Sequence, residues 1–175
     1  MNLYQRFLMS KVPIMTQKDQ VNPSDVIASH QRSVPVDPFK IAKDLGIAVF
    51  FDYGMDKNIA GKIKRVKSKE IIDGFQIFIN AKDAPSRQRF TLAHEIAHYV
   101  LHRDLIGDEV VDSALYRSPL GDQLETQANR LAAEILLPAQ AVRAQVSVAT
   151  SLGALAEYFK VSEAALRIRL QEIGL

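Results

Sequence analysis

Arg89-Phe90-Thr91-Leu92-Ala93-His94-Glu95-Ile96-Ala97-His98-Tyr99-Val100-Leu101-His102 is the stretch from which the rest of this chain can be read. It holds no Gly or Pro, and Phe90, Ala93, Ala97, Val100 and Leu101 recur at helical spacing, so it predicts a helix. On that helix His94 and His98 lie one above the other, four residues apart on one face. Two imidazoles so placed can both reach one ion at roughly 2.0–2.1 Å. Glu95 sits on the adjoining edge, where it addresses a water rather than the ion. His-Glu-x-x-His on a helix is the arrangement of zinc hydrolases. The competing reading, two histidines falling four apart by chance, has to place three of the chain's 4 histidines between 94 and 102.

Working outward, the 175 residues, 47% of them hydrophobic, suffice for one sizeable core. The expected organisation is an arm over 1–21 and a single domain over 22–175. Asn22-Pro23 and Asp37-Pro38 each join a capping side chain to a proline at the first helical position. Ile47 to Phe51, Ile59 to Val66 and Ile71 to Asn80 predict strands, the last two joined by Lys67-Ser68-Lys69-Glu70. Within the third, Phe75, Ile77 and Ile79 alternate with polar or outward positions, and its edge is a candidate support for an extended substrate. Lys62, Lys64, Arg65, Lys67 and Lys69 form a basic cluster, read as a solvated hairpin that resists edge-to-edge pairing. After His102 a long connection over 103–120 precedes a helix with Leu124, Ala128, Leu131, Ala132 and Ile135 as its buried stripe, ending by Pro138. Two short helices follow Ser151 and Ser162. Strands before the histidine helix and mainly helices after it predict an α+β fold, with a small, mostly antiparallel sheet packed on that helix.

Composition excludes several classes. There are no cysteines, hence no disulfides and no thiolate metal sites. No apolar run approaches the roughly 20 residues that span a bilayer, and the first eleven residues lack a signal-peptide core, so no membrane attachment and a cytoplasmic location are expected. A net charge of +2 is too small to argue for nucleic acid.

Two histidines do not complete a catalytic zinc site, which takes three protein ligands and an open position. His102, Asp104, Asp108, Glu109, Asp112 and Glu125 are the downstream candidates. His102 is eight residues beyond His94, a rise of about 12 Å on a continuous helix, too far to share one ion. The metzincin pattern would need Gly at 101 and His at 104, where this chain has Leu101 and Asp104. Glu125 lies beside the buried stripe of the second helix, with Asn129 one turn further on the same face. A ligating imidazole usually gives its other N–H to an oxygen acceptor, a role Asn129 could fill. Taken alone, Glu125 reads rather as a solvent-facing helix carboxylate.

The histidine stretch followed by Glu125-Thr126-Gln127-Ala128-Asn129-Arg130-Leu131-Ala132-Ala133-Glu134-Ile135-Leu136-Leu137-Pro138 resembles the ImmA/IrrE family of metallopeptidases. Leu131 stands where the family usually has Phe. Val36-Asp37-Pro38, Leu45-Gly46-Ile47, and the Gly61 strand with Ile79-Asn80 resemble its opening, so the likeness covers roughly residues 23 to 175. The resemblance implies a gluzincin-like fold, zinc held by His94, His98 and Glu125, and Glu95 as the catalytic carboxylate. It also implies, as partner and substrate, a helix-turn-helix repressor cut so that stress, phage or mobile-element genes are released. Tyr99, Tyr116 and Arg130 are candidates for stabilising the oxyanion.

The tail over 147–175 reads like a helix-turn-helix, which raises a rival function in DNA binding. Ser162, Glu163, Ala164 and Ala165 open its second helix and are poor base readers, which argues against direct DNA contact. A second rival is a zinc-bound regulatory partner, of toxin–antitoxin type, without proteolysis.

Overall fold

A computed structural model describes residues 22–66, 74–106 and 119–175. Two short helices open it, each started by the chemistry at its first residues. Asn22 accepts a hydrogen bond from the Ser24 N–H at 3.0 Å ahead of α1, Pro23–His30. Asp37 does the same for Phe39, also at 3.0 Å, ahead of α2, Pro38–Asp44. Beyond α2, Gly46 takes φ of 73°, a left-handed turn that glycine adopts without steric cost.

The three strands are β1, Ala48–Asp52, β2, Gly61–Val66, and β3, Gly74–Asn80, in the order β1-β3-β2. β2 and β3 form the expected antiparallel pair, with Ile63 opposite Ile77. β1 joins the other side of β3 in parallel, with Phe50 opposite Phe78, so the sheet is mixed. Alternation along a strand says which face a residue takes but not which neighbour the strand chooses, which is why the direction of β1 was not legible. The central place of β3 corrects one expectation: both its edges are paired, so it offers none to a substrate, and the outer strands are β1 and β2. The turn over 67–70 and the expected first residues of the third strand, 71–73, lie outside the described residues, as do the arm over 1–21 and 107–118 of the long connection.

One face of the sheet carries Ile63, Phe75, Ile77 and Ile79, all buried. They meet Leu92, Ala93 and Ile96 of α3, Pro85–His102, which lies across β2 and β3. Burying a side chain of the size of Leu92 or Ile96 contributes about 1.5–3 kcal/mol, so this contact is one support of the histidine helix, beside its packing on the helix over 119–136. Asn80 locks the strand end to what surrounds it. Its amide donates to the carbonyls of Asp56 and Ile59 at 3.0 and 2.9 Å, and its Oδ1 accepts from the Lys82 N–H at 3.1 Å. On the opposite face Phe50 stacks on Phe78 at 5.2 Å, and the Lys62 and Lys64 ammonium groups lie 5.4 and 4.8 Å from the Phe78 ring centre.

Helix α4, Pro119–Leu136, begins two residues before the expected Gly121 and runs alongside α3. Ala128, Ala132 and Ile135 are fully buried, as its apolar stripe predicted, while Leu124 and Leu131 are only half-buried. Pro138 ends that run and caps a further helix, α5, Ala139–Val146, which periodicity had not singled out. The tail pair is α6, Leu152–Phe159, and α7, Glu163–Glu172, capped by Ser151 and Ser162 as expected. Arg89 of α3 donates to the Lys160 carbonyl in the turn between them at 3.2 Å and to the Val36 carbonyl at 2.6 Å. The described residues therefore form an α+β fold of seven α-helices and one three-stranded sheet. No helix among them is long and apolar enough to cross a membrane.

Candidate metal centre

Two parallel clasps between α3 and α4 build the site. His94 and His98 project from one face of α3, and Glu125 comes from the facing turn of α4. The His94 and His98 Nε2 atoms are 3.0 Å apart. Glu125 brings Oε1 to 3.1 Å from His98 Nε2 and Oε2 to 3.3 Å from His94 Nε2. Among the described residues this trio is the group of His, Asp and Glu side chains whose ligand atoms all fall within 4.8 Å of one another.

Those separations carry a physical meaning. Two donors each roughly 2.0–2.1 Å from an ion, at a tetrahedral angle, stand about 3.3 Å apart. The 3.0 Å between the two Nε2 atoms is close to one edge of such a tetrahedron, and the Glu125 carboxylate brings one oxygen to each imidazole at similar distances, 3.1 and 3.3 Å. Two imidazole nitrogens and one carboxylate, with no thiolate, match the donor set of a catalytic zinc site. The residues present fit the ion that the sequence implies.

Electrostatics follow from the crowding. Burial pushes the Glu125 carboxyl up, but hydrogen bonds and charge from His94 and His98 outweigh it and hold its pKa at about 2. For His94, burial disfavours the imidazolium, while Glu125 first and then Glu95 and Asn129 favour it, leaving its pKa raised. His98 goes the other way: burial dominates, Glu125 opposes it only in part, and the pKa is lowered. Glu95 is 7% exposed, and burial lifts its pKa from 4.5 to about 7, with His94 pulling down and Glu125 adding to the rise.

Glu95 lies where β2 passes close to α3. A Cβ added at Gly61 would stand 2.4 Å from Thr91 Cγ2, 3.0 Å from the Phe78 carbonyl oxygen and 3.4 Å from Glu95 Oε1. Only a residue without a side chain lets the strand pass there, which gives the Gly61 position a mechanical reason.

Of the residues singled out in the sequence, His94, His98, Glu125 and Asn129 come together. Asn129 Oδ1 lies 3.0 Å from His94 Nδ1, the outer ring nitrogen that an acceptor should meet. His102 is 6% exposed, with Nδ1 at 3.1 Å from His98 Nδ1 and Nε2 at 3.0 Å from Gln127 Oε1. It bonds near the end of α3, outside the ligand trio, and Gln127 is the member that sequence reasoning missed. Its position two residues before Asn129, on the helix that carries Glu125, was the available signal. Asp104 is exposed on a short 3-10 turn, Arg103–Leu105, beyond α3. Tyr99 packs edge-on against Phe75, with the Arg103 guanidinium over its ring, and Arg130 is exposed on α4. Tyr116, Asp108, Glu109 and Asp112 lie outside the described residues.

The comparisons with known proteins agree with this geometry. The profile of the IrrE N-terminal-like domain, a peptidase family, matches residues 42–171. The chain is 38% identical over 104 residues to a protein from Deinococcus deserti named radiation response metalloprotease IrrE, covering 46% of this chain and 36% of that protein. It is 30% identical over 101 residues to metallopeptidase ImmA of Bacillus subtilis, covering 57% of this chain and 58% of that one. The chain thus spans about a third to a little over half of these relatives. A solved structure described as a Mycobacterium tuberculosis transcriptional regulator shares the fold, with a TM-score of 0.57 at 18% identity, over 85% of this chain and 46% of that one. With its match spanning both the histidine helix and the Glu125 helix, this chain belongs to the IrrE N-terminal-like family of metallopeptidase domains.

Proposed function

We propose that this chain is a zinc-dependent endopeptidase that cuts a helix-turn-helix repressor in the cytoplasm and so releases the genes it silences. The observation that carries the reading is the convergence of the His94, His98 and Glu125 donors with a buried carboxyl, Glu95, on the adjoining position of the helix.

When bound, the ion supplies a Lewis acid that acidifies water and polarises a carbonyl. The chain's own groups do the rest. His94 donates its Nδ1–H to Asn129 Oδ1, which leaves the Nε2 lone pair free to ligate. Glu95 takes a proton from the attacking water and returns it to the departing amine. Burial lifts this carboxyl above its ordinary value in the metal-free protein, and a bound dication would draw it back toward the carboxylate that accepts the proton. Low exposure around Glu95 also strengthens its electrostatic grip on the reacting groups.

The substrate class rests on the family resemblance of the two motifs. A property of the tail weighs against DNA reading. Of the two arginines on α7, Arg169 is 6% exposed and donates to the Leu137 carbonyl at 3.1 Å, while Arg167 pairs with Glu163 at 3.6 Å. Neither is presented alone for base reading.

The test is to incubate the zinc-loaded protein with each helix-turn-helix protein found among the products of the genes beside its own and to look by mass spectrometry for one pair of fragments. Cleavage by the wild type and not by Glu95→Gln is expected. Tight binding of the repressor by both, with no cut by either, would favour a regulatory partner without proteolysis.

A further inference from the structure

We infer that His102 and Gln127 are positioning residues for the metal: with His98 they form an ordered hydrogen-bond chain that holds this ligand in its metal-binding tautomer. The inference rests on the reading of His98 as a ligand through Nε2.

His98 Nε2 faces His94 and Glu125, and its Nδ1 faces His102 Nδ1 at 3.1 Å. Two bare lone pairs at that distance repel, and two N–H groups collide, so one ring must donate and the other accept. A metal ion takes the lone pair of Nε2. A neutral His98 then carries its proton on Nδ1 and donates to His102. His102 Nδ1 is thereby the acceptor, and the His102 proton belongs on Nε2. At that atom stands Gln127 Oε1, an acceptor, at 3.0 Å. Each bond sets the sense of the next, starting from the ion on His98 Nε2, and the Gln127 carbonyl accepts at the outer end.

Burial makes this orientation matter. His98 is 4% and His102 6% exposed, so a wrongly placed proton has little recourse to water. The chain also has a place in the architecture. His94–Asn129 and His98–His102–Gln127 are two clasps from α3 to α4, landing two residues apart on the helix that carries Glu125. Together they hold all three ligand side chains in register. His102 acts through His98 and stays outside the ligand trio.

The test is Zn²⁺ affinity, measured by competition with a chromogenic chelator, for proteins shown by circular dichroism to be folded. His102→Phe should bind Zn²⁺ roughly 10–100-fold more weakly than wild type, the usual scale for losing the outer partner of a ligating histidine. His102→Gln, whose carbonyl can accept from His98, should recover most of that loss. Gln127→Leu should weaken binding in the wild-type background and add nothing in the His102→Phe background, because a chain broken at its middle link no longer feels its outer one. A folded His102→Phe with wild-type affinity, or a Gln127→Leu effect of equal size in both backgrounds, overturns the inference. Should His102→Phe not fold, Gln127→Leu decides, and unchanged affinity overturns it. A wild-type protein that takes up no Zn²⁺ overturns the metal reading and this inference with it, whereas tight wild-type binding with indifferent variants overturns this inference alone.

Discussion

Replacing Glu95 by Gln in the metal-free protein should change how stability depends on pH. Burial raises the Glu95 pKa from 4.5, its ordinary value, to about 7. The folded state therefore holds this proton more tightly than the unfolded chain does. The contribution is fully present below about 4.5 and is lost as pH rises through about 7. That gap, at about 1.4 kcal/mol per pH unit, corresponds to about 3 kcal/mol lost between pH 4.5 and 8.5. Glu95 is almost wholly buried, so solvent screening takes little from the figure. Gln nearly matches Glu in shape and cannot ionise. Urea unfolding of chelator-treated wild type and Glu95→Gln at the two pH values gives the difference directly. Wild type should lose about 3 kcal/mol relative to the variant on going to pH 8.5, and added Zn²⁺ should shrink that loss, since a dication favours the carboxylate. A wild-type-minus-variant difference that stays constant with pH would refute the placement of Glu95 in a buried, weakly solvated pocket.

Other perturbations read other parts of the site. Glu125 is held at about 2, so its contribution in the metal-free protein is present above 4.5 and is lost as pH falls toward 2. Glu125→Gln should flatten that acid limb when urea unfolding is compared at pH 5 and 2.5. Gly61→Ala places a methyl 2.4 Å from Thr91 Cγ2 and 3.0 Å from the Phe78 carbonyl oxygen, and should cost about 1–3 kcal/mol of stability by overpacking, read by urea unfolding. Asn129→Leu removes the acceptor of His94 and should weaken Zn²⁺ binding by roughly 10–100-fold in a chelator competition.

The parts of this molecule that were legible in the sequence are those that local chemistry decides. Four-residue spacing on a run free of Gly and Pro put His94 and His98 on one helix face, and capping residues marked where α1, α2, α6 and α7 begin. The meeting of Glu125 with them is a long-range event, and only the paired motifs of a family resemblance pointed to it. What stayed hidden depends on partners distant in sequence. The parallel seat of β1 and the central seat of β3 are choices of neighbour, which period-two alternation does not encode. Gln127 looked like an ordinary surface residue of an amphipathic helix until α4 was laid beside α3 and brought it to His102. Pro138 was read as a stop, yet a proline can also open the next helix, and here it caps α5.

The central claim is that one metal ion is held by His94, His98 and Glu125, with Glu95 beside it and outside the ligand set. Metal content by elemental analysis, after equilibration with Zn²⁺ and removal of the excess, tests it most directly. The account predicts one zinc per chain in wild type and in Glu95→Gln, and loss of bound zinc in folded His98→Ala and Glu125→Ala. Zinc retained in full by Glu125→Ala, or lost by Glu95→Gln, would contradict it.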